Sequence, residues 1–196
     1  MSELFFYFCR MLLIDPNKTY PKETISRSII RFQDCDPLKH LNNAKYFDYF
    51  FNAREDQVPK LYGLNPLDIF QQFRAAWVVY NHQIAYVRSA MVGEWVTIYS
   101  RLIYYTDDTT VIEYVMACEE DVTFKSLLWT TLKYVDIQTG KKQAHQPEVM
   151  NYLKAIHYQD FNFTTTSFND RIRQISALYK AKKKESQPIN HLNICK

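Results

Sequence analysis

The chain has 196 residues, 47% of them hydrophobic and 23% charged, a composition that fits one globular domain with a sizeable core and excludes a fibrous or disordered protein. Its three glycines exclude the glycine-rich phosphate loops of nucleotide-binding folds, which cluster several within one turn. The net charge of +3 is unevenly placed: from residue 166 onward seven Lys or Arg face only Asp170 and Glu185, so the basic balance belongs to a C-terminal extension and not to a nucleic-acid-binding body.

Leu4 to Ile14 is apolar but only about ten residues long, short of the roughly twenty that span a bilayer. It carries no basic residue before Arg10 and no small-residue cleavage site, so neither a signal peptide nor a membrane span is expected; Met11 is an alternative start. Pro16 to Lys22 reads as a lead-in, and Thr24 to Phe32 as the first strand. Asp34-Cys35-Asp36-Pro37-Leu38-Lys39-His40-Leu41-Asn42-Asn43 follows, the densest cluster of reactive side chains in the chain. From Ala44, the residues Phe47, Phe50, Phe51, Arg54, Val58 and Leu61 recur at helical spacing, and Gly63 stands where a left-handed helix terminus is wanted. Asn65-Pro66 opens a short second helix through Phe73.

Four stretches rich in Val, Ile, Tyr and Trp come next: Ala76 to Arg88, Trp95 to Tyr105, Thr110 to Cys118 and Thr123 to Ile137. Short connections containing Gly93, Asp107-Asp108 and Glu119 to Asp121 separate them and make antiparallel neighbours. The class is therefore α+β. Beyond Pro147, Val149 to Ile156 suggests one helix, and Phe168, Ile172, Ile175 and Tyr179 an amphipathic second one. That helix is expected to cover an apolar patch on the domain or its partner, with a lid over a tunnel as the sharper alternative. The basic tail is a solvated helix end, or a contact for phosphates or an acidic partner.

Arg31-Phe32-Gln33-Asp34-Cys35-Asp36-Pro37, with His40, Asn42, Asn43 and Tyr46 behind it, resembles the 4-hydroxybenzoyl-CoA thioesterase family of hotdog-fold proteins. The order of elements fits to about Lys142. The resemblance implies a curved antiparallel sheet of about five strands around a long central helix. It divides the chain into an N-terminal extension (1–22), a hotdog domain (23–146) and a helical, basic C-terminal extension (147–196). It implies hydrolysis of an acyl-CoA, with Asp36 as nucleophile or general base and backbone amides polarising the thioester carbonyl. One such amide is expected near Ala76, with His40 and Asn43 in support. No metal or cofactor is implied beyond the coenzyme A of the substrate, and the assembly is expected to be a homodimer or a dimer of dimers. The alternatives are an acyl-ACP thioesterase, a dehydratase or hydratase, and a non-catalytic acyl-ligand binding protein. Plant acyl-ACP thioesterases carry an asparagine two residues after the aspartate, where this chain has Leu38, which favours a site centred on Asp36.

The residues themselves leave other roles open. Asp34 and Asp36 also suit an Asx turn into a helix, with Asp34 as a partner for Arg31 or loop amides. Pro37 restricts Asp36 to extended conformations. Asn42 and Asn43 are good N-caps, and His40 either hydrogen-bonds substrate or holds the helix start. His82, on a face with Tyr80, Ile84 and Tyr86, reads as a buried sheet histidine. Cys35, between two carboxylates, has its thiol pKa raised and makes a poor nucleophile. Cys9, Cys35, Cys118 and Cys195 are too scattered for a disulfide framework or zinc site, which points to a reduced, cytoplasmic chain, and the five histidines make no metal-binding spacing.

Overall fold

The computed structural model describes residues 18–186. The expectations for Leu4 to Ile14, the alternative start at Met11, Cys9 and Cys195 lie outside the described residues. The elements run β1 (Glu23–Ile29), α1 (Tyr46–Tyr62), α2 (Pro66–Phe73), β2 (Ala75–Tyr86), β3 (Trp95–Tyr105), β4 (Thr109–Cys118), β5 (Thr123–Asp136), α3 (Pro147–Ile156) and α4 (Phe168–Ser186). The strands form one antiparallel sheet in the order β1-β3-β4-β5-β2, with β1 and β2 at its edges.

Local signals act where the residues place them. Gly63 ends α1 in the left-handed region at φ 69°, its N–H bonding the Pro59 carbonyl. The Asn65 side chain accepts from the Leu67 N–H, with Pro66 at the first helical position. The first strand is shorter than its apolar run, because Ile30 leaves the ladder to exchange backbone bonds with Gly93 and Glu94. Phe32–Asp34 then coil into a 3₁₀ turn.

Helix α1 lies against the inner face of the sheet, where Tyr46, Phe50, Ile112, Tyr114, Met116 and Leu128 share one core. An antiparallel sheet packed on one side would leave its other face wet, yet every residue of β4 is buried. The C-terminal extension supplies the second cover. Phe161 and Ile175 close a separate outer core with Ile103, Val111, Phe124 and Trp129. Helix α4 therefore covers the back of the sheet and is not a lid; it is α3 that packs into the inner core, through Val149, Tyr152, Leu153 and Ile156. In the outer layer Glu113, fully buried, accepts from Trp129 Nε1 at 3.0 Å, Arg171 Nε at 2.8 Å and Arg171 Nη2 at 2.7 Å, and from Arg101 Nη1 at 3.2 Å.

His145 gives one pH-dependent element. Its Nε2 accepts the Trp77 indole N–H at 3.0 Å and its Nδ1 lies 3.2 Å from the Thr106 carbonyl, an arrangement that only the neutral ring with its proton on Nδ1 satisfies. Burial pushes its pKa below the ordinary 6.5, against the opposing pull of the Thr106 and Asp107 backbone and the Asp108 charge. The unfolded chain thus binds more protons between the folded pKa and 6.5, so this stability is complete above 6.5 and is lost as pH falls through the folded value. The His82 pKa is lowered in the same direction by desolvation of the ring where it rests against Phe47 and Phe51. The fall in thermal midpoint between pH 7 and pH 5 is expected to shrink in His145→Gln; an unchanged fall would assign the acid sensitivity elsewhere.

Candidate active site

The polar cluster after β1 folds back on itself. Cys35 and Leu41 form an isolated bridge, the Asp36 N–H bonds the His40 carbonyl at 2.8 Å, and the Lys39 N–H bonds the Asp36 carbonyl at 2.9 Å. Lys39 takes a left-handed φ of 65°, which closes the turn. Within it, Asp36 Oδ1 accepts from the Leu38 N–H at 2.9 Å and the His40 N–H at 3.0 Å. Asp36 thus makes the Asx turn with one oxygen, while Oδ2 has no partner among the described residues. The loop is tied to the chain before β3 by the Leu41 N–H on Ala90 O at 2.8 Å and the Val92 N–H on Lys39 O at 3.0 Å.

Asp34 points elsewhere. Its Oδ2 accepts the Tyr49 hydroxyl at 2.9 Å, and that same hydroxyl accepts the Arg31 backbone N–H at 2.9 Å. Burial first, and then Asp34, push Tyr49 up to about 12, so it stays a donor. Asp34 is therefore a strut from α1 to the loop, although its partner is a tyrosine of the helix and not the Arg31 side chain. Asn42 caps the turn that opens α1, its Oδ1 accepting the Ala44 N–H at 3.0 Å. The Asn43 carbonyl accepts the Tyr86 hydroxyl at 2.9 Å, and Tyr46 receives the Ala90 N–H at 3.2 Å, so the C-terminal end of β2 closes the junction. The Cys35 thiol pKa is raised, by burial ahead of Asp34 and Asp36.

Residues 30–153, which span this loop, α1, α2, strands β2 to β5 and most of α3, match the model of the thioesterase-like superfamily. The chain belongs to the thioesterase-like superfamily. Among curated relatives, the long-chain acyl-CoA thioesterase FadM of Escherichia coli is 29% identical over 128 residues, 64% of this chain and 92% of FadM. The probable thioesterase YbaW of Escherichia coli superposes with a TM-score of 0.61 at 23% identity, covering 69% of this chain and 99% of that one. The 1,4-dihydroxy-2-naphthoyl-CoA thioesterase Slr0204 of Synechocystis gives 0.61 at 13% identity, covering 71% and 99%. These likenesses fit the hotdog architecture of sheet and central helix described above.

One expected site residue of this thioesterase-like domain, Ala76, and the histidine read as a buried sheet residue, His82, both lie on β2 away from the Asp36 loop. Ala76 lies ten residues before Tyr86 along β2, roughly 33 Å of extended strand from the end that meets the junction. His82 is exposed in the single chain and not buried as its face suggests, because β2 is an edge strand with a bulge between Val79 and Asn81. Its ring rests against Phe47 and Phe51, with centroids at 5.0 and 5.8 Å, and its Nδ1 meets Thr130 Oγ1 at 3.1 Å.

Between α1, α2, α3 and the inner sheet lies a cavity of about 560 Å³, within the ordinary range for ligand sites. Val58, Trp77, Ile112, Leu132 and Ile156 give it an apolar wall, and Phe51 joins it to the aromatic group around His82. Among its polar wall residues, which also include Glu55, Asn65, Thr110 and Thr130, Arg54 and Tyr152, like Tyr49 at the loop, carry no motif; only helix phase, counted from Tyr46, could have set Tyr49 and Arg54 on inward faces. Glu94, Cys118 and Asp121 also gather ligand atoms within 4.8 Å of one another. There Glu94 already pairs with Lys125 Nζ at 2.5 Å and accepts the Met91 N–H at 2.8 Å, while burial pushes the Cys118 thiol up to about 11. That arrangement suits a clamp between loops better than an ion site.

Proposed function

We propose that this chain is an acyl-CoA thioesterase acting through Asp36. The observation that carries the reading is the division of labour within one carboxylate: Oδ1 is anchored by two amides, and Oδ2 is open to a substrate. Exposed Phe32 and Leu38 on the same loop, with Met91 beside it, offer apolar surface to a thioester arm. In one route Asp36 takes a proton from water as the water oxygen bonds to the carbonyl carbon; the C–S bond then breaks and coenzyme A leaves as the thiol once protonated. In the other, Asp36 Oδ2 attacks the carbonyl and expels the thiolate, and water cleaves the resulting anhydride. Both yield carboxylic acid and free coenzyme A, and neither calls for a metal. His40 and Asn43 hold the loop and the helix start through their backbones, which supports a positioning role for each.

The likeness to FadM favours a coenzyme A carrier. No helix of the described residues is long and apolar enough to cross a membrane. Release of free thiol from short, long and aromatic acyl-CoAs tests the activity. A protein silent on the whole panel that still binds acyl-CoA would be a ligand-binding member of the fold instead.

The reading includes a dimer. β2 is an edge strand whose Val78, Val79 and Tyr80 are exposed, and an edge of that kind invites a second strand. Antiparallel pairing with a second copy about Asn81 would set the partner's Ala76 beside Tyr86, next to the Asn43 carbonyl. An amide near Ala76 would then serve the site across the subunit boundary, and the cavity of one copy would open toward Asp36 of the other. The double variant Val78→Asp, Tyr80→Asp places four carboxylates at such a seam. Sedimentation is expected to give twice the chain mass for the wild type and the single chain mass for the variant, with thiol release lost together with the dimer.

A further inference from the structure

Beside its apolar residues the cavity wall carries Arg54, Glu55, Asn65, Thr110, Thr130 and Tyr152, and of these Arg54 and Tyr152 have donors that an unsubstituted acyl chain leaves unused. Tyr152, on α3 and 2% exposed, has a buried hydroxyl with no hydrogen-bond partner among the described residues. A buried unpaired hydroxyl is costly and uncommon in native proteins. The Tyr152 side chain forms part of the cavity wall with its hydroxyl sealed just behind that wall, and burial keeps it a neutral donor. Arg54, on α1, lines the same space. Its guanidinium spends one N–H on Ser100 Oγ at 2.8 Å and has no carboxylate within 4.0 Å among the described residues, leaving further donors free. The charge of Arg54 is felt by Tyr152, Tyr62 and Tyr114, so these side chains share one neighbourhood. Wholly apolar walls would suit a plain hydrocarbon chain better, since each unused donor penalises it.

Resting on the thioesterase reading, we propose that the acyl group taken by this cavity carries an oxygen function on its distal part, and that Tyr152 and Arg54 select for it. A small shift of the Tyr152 side chain would bring its hydroxyl to a distal hydroxyl, which accepts from it; a distal carboxylate would in addition meet Arg54, whereas Glu55 stands exposed in solvent. Discrimination of this kind is strong because a substrate lacking the oxygen leaves the buried donors unpaired.

The test compares unsubstituted, ω-hydroxy and ω-carboxy acyl-CoAs of matched length, in a series spanning medium to long chains, with wild type, Tyr152→Phe and Arg54→Met. At the best-fitting length, the wild type is expected to prefer an oxygenated member over the plain one in kcat/KM by about tenfold or more. Tyr152→Phe, which removes a single oxygen and leaves the ring in place, is expected to bring that ratio close to one for the hydroxy member. Arg54→Met is expected to lower it for the carboxy member in particular. A wild type without preference at any length, or a ratio unchanged in both variants, overturns the proposal. Binding of the corresponding free plain, ω-hydroxy and dicarboxylic acids, followed by calorimetry, reads the same selectivity without turnover. Loss of the thioesterase reading, seen as no thiol release, is thereby distinguishable from loss of this one, seen as equal binding of the three acids.

Discussion

Asp36→Asn is expected to lower thiol release from the best acyl-CoA by about a hundred- to ten-thousandfold, the range spanned by positioned acid-base groups. Its value as a test lies in what it leaves alone. The amide oxygen of asparagine can still accept the Leu38 and His40 N–H groups that Asp36 Oδ1 accepts at 2.9 and 3.0 Å, so the turn has no reason to open. What disappears is the negative charge, and with it the acceptor at Oδ2, which has no partner among the described residues. The thermal midpoint should therefore move by no more than a few degrees while kcat collapses. Asp36→Ala removes the turn as well, and a clear excess of destabilisation in Ala over Asn would separate the structural half of the side chain from the chemical half. Turnover by Asp36→Asn equal to that of the wild type would move the chemistry to another residue.

The largest stability effect is expected from the outer layer. Arg171→Met removes two of the hydrogen bonds to Glu113, at 2.8 and 2.7 Å, and strips a fully buried carboxylate of one of its two guanidinium partners. Breaking one side of a buried ion pair costs about 3–5 kcal/mol because the remaining charge stays desolvated. Arg101 and the Trp129 indole still face Glu113, which places the expectation near the lower end. Arg101 also pairs with Glu23, and that second partner divides its charge. A loss of about 3 kcal/mol corresponds to a drop of roughly 6–12 °C in thermal midpoint for a chain of this size. Because Arg171 also lies over the Phe161 ring, 4.3 Å from its centroid, amide exchange should accelerate first in α4 and in the segment carrying Phe161. A midpoint within about 1 °C of wild type would mean that the apolar contacts of Ile175, Phe161 and Phe168 hold the extension by themselves.

Much of this molecule can be read along the chain, because the decisive signals are local. The strand runs and their separators place β3 with its observed ends, and β2, β4 and β5 within a residue or two, since apolar β-branched and aromatic runs bounded by turn residues have few other uses. Gly63 and the Asn65-Pro66 pair mark helix ends through backbone conformation and a missing N–H, which depend on nothing distant. The Asp34 to Asn43 cluster points to its own importance for the same reason: its turn is made by bonds spanning two to eight residues.

What needed the tertiary structure is whatever depends on partners far away in sequence. The two aspartates look alike in the chain, and they part because α1 brings the Tyr49 hydroxyl to Asp34, while Asp36 turns back on the Leu38 and His40 amides of its own loop. That α4 backs the sheet is decided by Glu113 and Arg171, 58 residues apart, which no periodicity connects. His82 alternates as an interior residue would, and strand order alone puts it on an exposed edge. The cavity and its two unused donors arise where α1 and α3 close over the sheet, since a hydroxyl becomes an orphan only when packing removes water from around it. By itself the sequence determined the elements, their turns and the place of the polar loop; three-dimensional packing decided which carboxylate is tied to the central helix and which face the extension covers, because desolvation and pairing are properties of neighbours in space.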